Sequence, residues 1–325
     1  LTVTASTSTT GTVTQSGIID VDGLTTINNS GGDVTLNNVD NDFGNGSGVN
    51  AVKVIGANVS IKNSDILELG ASTVSGTYAA TAVTGNITDS GTLAITGLAT
   101  FTTSASNATI TLDETGSTFA AGVSLNTTGS SGNATVDTGT NALDIAASTI
   151  GGNLALTAGN HITDSGVLTV GGTSSFTTDV NNKTITLSET HALTGAVSFT
   201  TAGTTGDVAL TTGTTALILG TSTVNGDLAV TAGAAVTQSG ALTILGTTTV
   251  SASGNDVTLN LATNNFDSNN SGDRDVTITG KDVSIRDTDH IALGRQTISG
   301  NLTVQAGGNI DDGNILTVAG TTTMT

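Results

Sequence analysis

Two oxygen-rich loops hold the residues best suited to chemistry. The run Asp267-Ser-Asn-Asn-Ser-Gly-Asp-Arg-Asp275 offers side-chain oxygens at Asp267, Asn269, Ser271 and Asp275, with Gly272 at the turn. Alternating oxygen donors around a glycine resemble the front of a calcium loop, because a hard dication is held by converging carboxylates and carbonyls. The twelfth position, where a bidentate glutamate would close the coordination sphere, is Ile278. A weaker counterpart runs from Val39 to Asn50 and offers Asp40, Asp42 and Asn45. Calcium is the one cofactor these residues suggest. The other reading is a solvated turn rich in Asp, Asn and Gly, and the missing acid at Ile278 weighs towards it.

A second cluster gathers Arg274, Lys281, Arg286 and Arg295 with Asp282, Asp287, Asp289 and His290. Paired carboxylates beside cationic groups are what polysaccharide lyases and hydrolases need, so any catalysis in this chain belongs here. The remaining chemistry is thin. His161, His191 and His290 lie far apart, without the spacing of a metal-binding pair, and His161 falls at a turn. No G-x-S-x-G elbow is present, and the pairs Gly151-Gly152 and Gly171-Gly172 lack the lysine and helix of a phosphate cradle. The expectation is a protein that is not an enzyme.

Composition narrows the class. The 325 residues include 43 glycines, no proline and no cysteine, with only 2% aromatic and 10% charged residues. Disorder needs low hydrophobicity and many charges or prolines. Here 36% of residues are hydrophobic and the mean hydropathy is +0.17. Seven basic against 26 acidic residues give a formal charge of −19, which excludes phosphate neutralisation and so nucleic-acid binding. No apolar run is long enough for a membrane helix, and membrane insertion is not expected.

The positioning elements follow from an internal repeat. I-T-D-S-G begins at Ile87 and Ile162, V-T-Q-S-G at Val13 and Val236, and a worn I-D-D-G at Ile310, in steps of 74 or 75 residues. A T-[V/I]-x-G marker places Val74, Ile150, Val224 and Ile298 on a similar spacing, and L-x-[L/V]-x-A-G begins at Leu154, Leu228 and Leu302. Units run approximately over 13–86, 87–161, 162–235 and 236–309, with partial units at both ends. The copies come in two kinds, since the segment from Gly23 matches the one from Gly246 more closely than it matches the middle pair.

Inside each unit apolar residues alternate with polar ones, as at Val34/Leu36, Ile110/Leu112 and Val257/Leu259, which is the strand period. Without aromatic anchors or linkers, a string of sandwich domains is disfavoured. The fold expected is an all-β, parallel β-helix (β-solenoid) of ~74-residue repeats, one continuous body over 1–325, wound at about 18–25 residues per turn. The last residues, Leu316 to Thr325, repeat the middle of a unit. That predicts either a longer protein or subunits self-associating end to end through uncapped edges.

The phrase G-N-L-A-L-T-A-G-N-H-I-T-D-S-G, from Gly152 to Gly166, resembles the repeat shafts of filamentous-haemagglutinin-type adhesins and related giant bacterial surface proteins. That resemblance implies a right-handed winding, export across an outer membrane, and a place on the bacterial cell surface. Together the readings predict a secreted, extracellular structural protein, a shaft segment or subunit of a surface filament or adhesin, with host-cell or other surface glycans as candidate partners. The alternatives are a β-helical polysaccharide-active enzyme, a surface-layer protein, or an ice-binding threonine array. The runs Thr247–Thr249 and Thr321–Thr323 show no once-per-turn recurrence in the sequence.

Overall fold

The computed structural model describes residues 1–5, 11–44, 50–267 and 274–325. The chain is an all-β, parallel β-solenoid of about 15 turns, each of roughly 21 residues, with no helix among the described residues. Contacts sort it into two compact units. One comprises Leu1–Gly159 with Asp164–Gly171; the other comprises Asn160–Thr163 with Gly172–Thr325.

In the first unit Val34–Leu36, Val59–Asn63, Tyr78–Ala82, Ala99–Ser106 and Val123–Thr128 stack in parallel, with Val34, Val59, Tyr78, Ala99 and Val123 in one column. In the second, Val208–Thr212, Leu228–Ala232, Thr248–Ser251 and Val276–Gly280 do the same through Val208, Leu228, Thr248 and Val276. The period of two explains the packing. Val59 and Ile61 turn inward and are buried while Ser60 and Lys62 stay partly exposed. Each buried aliphatic side chain contributes about 1.5–3 kcal/mol. The few aromatics sit in the core: Tyr78, Phe101 and Phe119 meet edge to face at 5.9 and 6.1 Å, and Phe176 stacks on Phe199 at 5.7 Å.

The structural repeat is therefore the turn, and the 74-residue sequence period holds three to four of them. Turn length is uneven. Val52 lies beside Leu69, 17 positions on, whereas Thr249 lies beside Thr277, 28 positions on. Insertions are absorbed at corners, so the outward columns stay in register. Thr211, Thr231, Ser251, Thr279, Thr297 and Thr317 form an unbroken outward hydroxyl column in the second unit. Once-per-turn recurrence does exist, and one member of a linear run takes part in it: Thr323 stacks on Thr303, Ser284 and Thr258 in a second outward column.

Each sequence period also contains one change of shape. A straight strand is followed by two short ones with a bend between them. Val52–Gly56 stacks on both Leu67–Leu69 and Ser72–Val74, and Val123–Thr128 on both Leu143–Ile145 and Ser148–Ile150. In the second unit Ala196–Ala202 and Val276–Gly280 behave alike. A bend removes a ladder acceptor, and a buried N–H without one costs about 1–3 kcal/mol. A serine hydroxyl fills the gap. Val54 N–H donates to Ser72 Oγ at 3.0 Å, Leu125 N–H to Ser148 Oγ at 3.0 Å and Phe199 N–H to Ser222 Oγ at 3.1 Å. Each hydroxyl donates onward to the carbonyl two residues before it. In the last copy Gln296 takes the place of serine, its Oε1 accepting from Ile278 N–H at 3.0 Å.

Candidate functional site

Side chains at the corners tie each turn to the next. Asn133 Oδ1 accepts the Asn153 N–H at 2.8 Å; Asp207 Oδ1 accepts from Asp227 and Asp227 Oδ1 from Thr247, at 2.9 and 2.7 Å. A second ladder climbs from Asp256 to Asp282, Asn301 and Thr321. A short Asp or Asn side chain reaches the next strand because adjacent strands are only about 4.8 Å apart.

The two kinds of repeat differ through a buried amide pair. Gln15 Nε2 donates to Asn41 Oδ1 at 2.7 Å and Asn41 Nδ2 donates back to Gln15 Oε1 at 3.0 Å; Gln238 and Asn264 exchange the same two bonds at 2.8 Å each. Asn41 and Asn264 are fully buried. The V-T-Q-S-G phrase therefore belongs with an asparagine 26 residues on. Where the phrase carries aspartate at Asp89, the carboxylate accepts N–H bonds from Asp113 and Glu114 instead. Burial pushes the Asp89 carboxyl up to about 6, against the pull of those two bonds.

The described residues that lead into the two oxygen-rich runs, Asp42–Gly44 and Asn265–Asp267, lie just beyond these pairs at corresponding positions. In the first unit the Phe43 N–H donates to Asn63 Oδ1 at 2.8 Å, and Asn63 Nδ2 donates to Asp65 Oδ1 at 2.8 Å and to the Ile66 carbonyl at 2.7 Å. Burial, then the negative charge of Asp42, raises the Asp65 carboxyl above its ordinary value. In the second unit the Phe266 N–H donates to Asp287 Oδ2 at 2.8 Å, and the Asp289 N–H donates to Asp287 Oδ1 at 3.0 Å. Asp287 is 1% exposed, and burial pushes its carboxyl up to about 6.

The expected calcium ligands are only partly placed. Asp267 is buried in a left-handed conformation (φ 63°) where the first copy has Gly44 (φ 98°); aspartate is among the few residues that tolerate this. Asp275 accepts the Asn314 Nδ2 hydrogen at 3.0 Å. Asp40 is exposed, with its N–H on Asn38 Oδ1, and Asp42 lies in a short strand directly beside Asp20. Asn269, Ser271 and Asn45 lie outside the described residues. Among the described residues no three His, Asp or Glu side chains are grouped closely enough to hold a metal ion.

The second cluster is divided by the strand period. Arg286 is exposed and Asp287, its neighbour, points inward. Asp282 belongs to the corner ladder, with Lys281 Nζ at 3.7 Å and 3.9 Å from Asp282 and Asp256, an exposed pairing of little energetic weight. His290 Nδ1 is 3.7 Å from Asp311 Oδ2. Asp287 and Asp289 do meet, and Asp287 lines a cavity of about 370 Å³ with Arg286, Thr288 and Gln305. His161 is an exposed turn residue whose Nδ1 accepts the Thr184 N–H at 3.1 Å. His191 is fully buried. The buried asparagines, the bend serines and the glutamines Gln15, Gln238 and Gln296 are the functional side chains that the sequence reading did not single out. Two signals in the sequence could have marked them: the fixed 26-residue spacing from Gln to Asn, and the residue that precedes each T-[V/I]-x-G marker, at Ser72, Ser148, Ser222 and Gln296.

Fold and corners together define a repeat protein whose turns are bonded one to the next. Residues 1–50, 56–126, 131–200, 205–271 and 280–325 match the family described as repeats of unknown function (DUF5649), with successive matches after the first beginning 74 or 75 residues apart. The chain belongs to that family. No curated protein and no solved structure matches it.

Proposed function

We propose that the chain is a non-enzymatic structural segment of an extracellular bacterial surface protein, a shaft or filament subunit of the kind that filamentous-haemagglutinin-type adhesins carry. The observation that supports this most is the corner ladder of Asp and Asn side chains. Along these ladders backbone N–H groups of one turn bond to side chains of the turn before it, so the stability of one turn is invested in its neighbour. Such a body extends by adding turns, and any terminal turn presents strand edges that recruit further strands. End-to-end self-association follows from that chemistry. The acidic composition suits a protein that stays soluble at a surface. Calcium at Asp267 and Asp275, and more weakly at Asp40 and Asp42, would offset part of the negative charge and is proposed as an accessory.

Negative-stain microscopy of the native material, with and without a calcium chelator, tests this reading. Rods or fibres are expected, shortened or loosened by the chelator. Isolated globules in both conditions would overturn it. Turnover of a polysaccharide that disappears in Asp287→Ala or Asp289→Ala would favour the enzyme reading instead.

A further inference from the structure

The T-[V/I]-x-G markers end at four corners, and one of them differs in both residue and bonding. The pairs are Ser75-Gly76, Gly151-Gly152, Asn225-Gly226 and Ser299-Gly300, so asparagine precedes the glycine at one corner only. At the other three the glycine N–H is bonded. Gly76 donates to the Ala57 carbonyl at 2.9 Å, Gly152 to Gly132 at 3.0 Å and Gly300 to Lys281 at 2.9 Å. The Gly226 N–H has no acceptor among the described residues. One turn back the backbone is arranged differently as well: Gly206 donates to the Asn225 carbonyl at 3.1 Å, whereas Gly132 in the corresponding turn donates to Gly129 at 3.0 Å. Position 226 must be glycine, because a Cβ there would collide with Asp207 Oδ1. Asn225 is half-buried, with its Nδ2 hydrogen on the Thr201 carbonyl at 2.8 Å.

We infer that Asn225-Gly226 is a self-modification site, where the asparagine deamidates through a succinimide with water as the only co-reactant. The nucleophile is the Gly226 nitrogen, which has no hydrogen bond to break and no side chain to crowd its approach. It attacks Asn225 Cγ; the new N–Cγ bond closes a five-membered ring, the Cγ–Nδ2 bond breaks, and ammonia leaves with the glycine amide proton. Water then opens the ring. Cleavage at N–Cγ gives aspartate, and cleavage at the backbone C–N bond gives isoaspartate, whose chain runs through the side-chain carbon. Aspartate loses the donor to Thr201 and sets a carboxylate against that carbonyl. Isoaspartate also lengthens the chain just before Asp227, whose N–H holds to Asp207 Oδ1 at 2.9 Å. Either product loosens this turn. The inference does not depend on the surface-shaft reading.

Ageing the intact, folded chain in warm, mildly alkaline heavy-oxygen water, followed by peptide mapping in a mass spectrometer, provides the test. Label is expected at residue 225, as aspartate and isoaspartate, while Asn133 and Asn153, each followed by a residue with a side chain, keep their amides. Asn45-Gly46, the same dipeptide outside the described residues, falls in a different peptide. Ser299→Asn builds the dipeptide over a glycine whose N–H is bonded, and should react about tenfold more slowly, as one hydrogen bond to be broken first allows. Asn225→Ser, with the residue found at Ser75 and Ser299, should remove the label and melt like the fresh protein. Aged wild type should melt lower than fresh, and the aged serine variant should not. An amide still intact at 225 when the urea-unfolded chain has reacted there would overturn the inference, and so would equal rates at Asn225 and in the Ser299→Asn variant.

Discussion

In the first unit the backbone at Phe43 is held by Asn63, which passes its own amide hydrogen to Asp65. In the second the backbone at Phe266 is held by Asp287, next to Asp289. An amide accepts on one atom and donates on the other, so Asn63 satisfies both neighbours without charge. A carboxylate only accepts unless it carries a proton. Asp287 therefore performs the same backbone task while placing a charge in the core, and its carboxyl responds by holding its proton to a higher pH. The acid has also changed place: the short strand carries Asp42 in one copy and Asn265 in the other. One geometry thus accepts two distributions of charge, and only one of them puts the carboxylate inside.

Removing the amide should show the largest effect. Asn63→Ala leaves the buried Phe43 N–H without an acceptor and takes one of the donors from Asp65, and is expected to cost about 2–4 kcal/mol in urea denaturation. Loss below about 0.5 kcal/mol would mean that the corner relaxes around water. Exchanging the two chemistries comes next. The Asp287 carboxyl is raised in the folded state relative to the unfolded chain, so its protonation favours folding: that contribution is full below about pH 4 and is lost as pH rises through about 6. Asp287→Asn should flatten this part of the stability profile and make the protein more stable at neutral pH, while Asn63→Asp should create a similar slope in the first unit. Thermal melts from pH 4 to 8 decide it, with Asp89→Asn as a control for the other carboxyl raised to about 6.

The amide pairs should respond equally in both copies. Gln15→Ala and Gln238→Ala each remove two exchanged bonds, at about 1–2 kcal/mol; a difference greater than about 1 kcal/mol between them would show that the corners are not equivalent. The smallest change is expected at Thr25 and Thr248, which occupy corresponding core positions and whose buried hydroxyls have no partner. Replacing either by valine should stabilise the protein by up to about 1 kcal/mol. Destabilisation at either site would point to a hydrogen bond formed there in solution.

Much of this architecture was legible. Alternation at Val34/Leu36 or Val257/Leu259 is enough to define strands, and the markers at Ile87, Ile162 and Val236 are enough to define a repeat. The role of the bend serines was not legible: Ser72, Ser148 and Ser222 stand just before the T-[V/I]-x-G marker and recur with it, but nothing near them in the sequence shows what they bond. Their role exists only where a bent pair of strands lies over a straight one. The cluster at Arg286 and Asp287 misled in the opposite direction: adjacency in sequence brings charges together on paper, while a strand sends consecutive side chains to opposite faces.

The amino-acid sequence by itself determined the strand period, the parallel solenoid and the acidic, cysteine-free composition, because these depend on alternation over a few positions, on markers that recur at a fixed step, or on simple totals. Tertiary structure alone decided which hydroxyls line up into a column, which asparagine meets which glutamine, and which aspartate is buried. Those pairings bridge turns of 17 to 28 residues, and only the backbone ladder, closing each uneven turn onto the next, sets which side chains become neighbours.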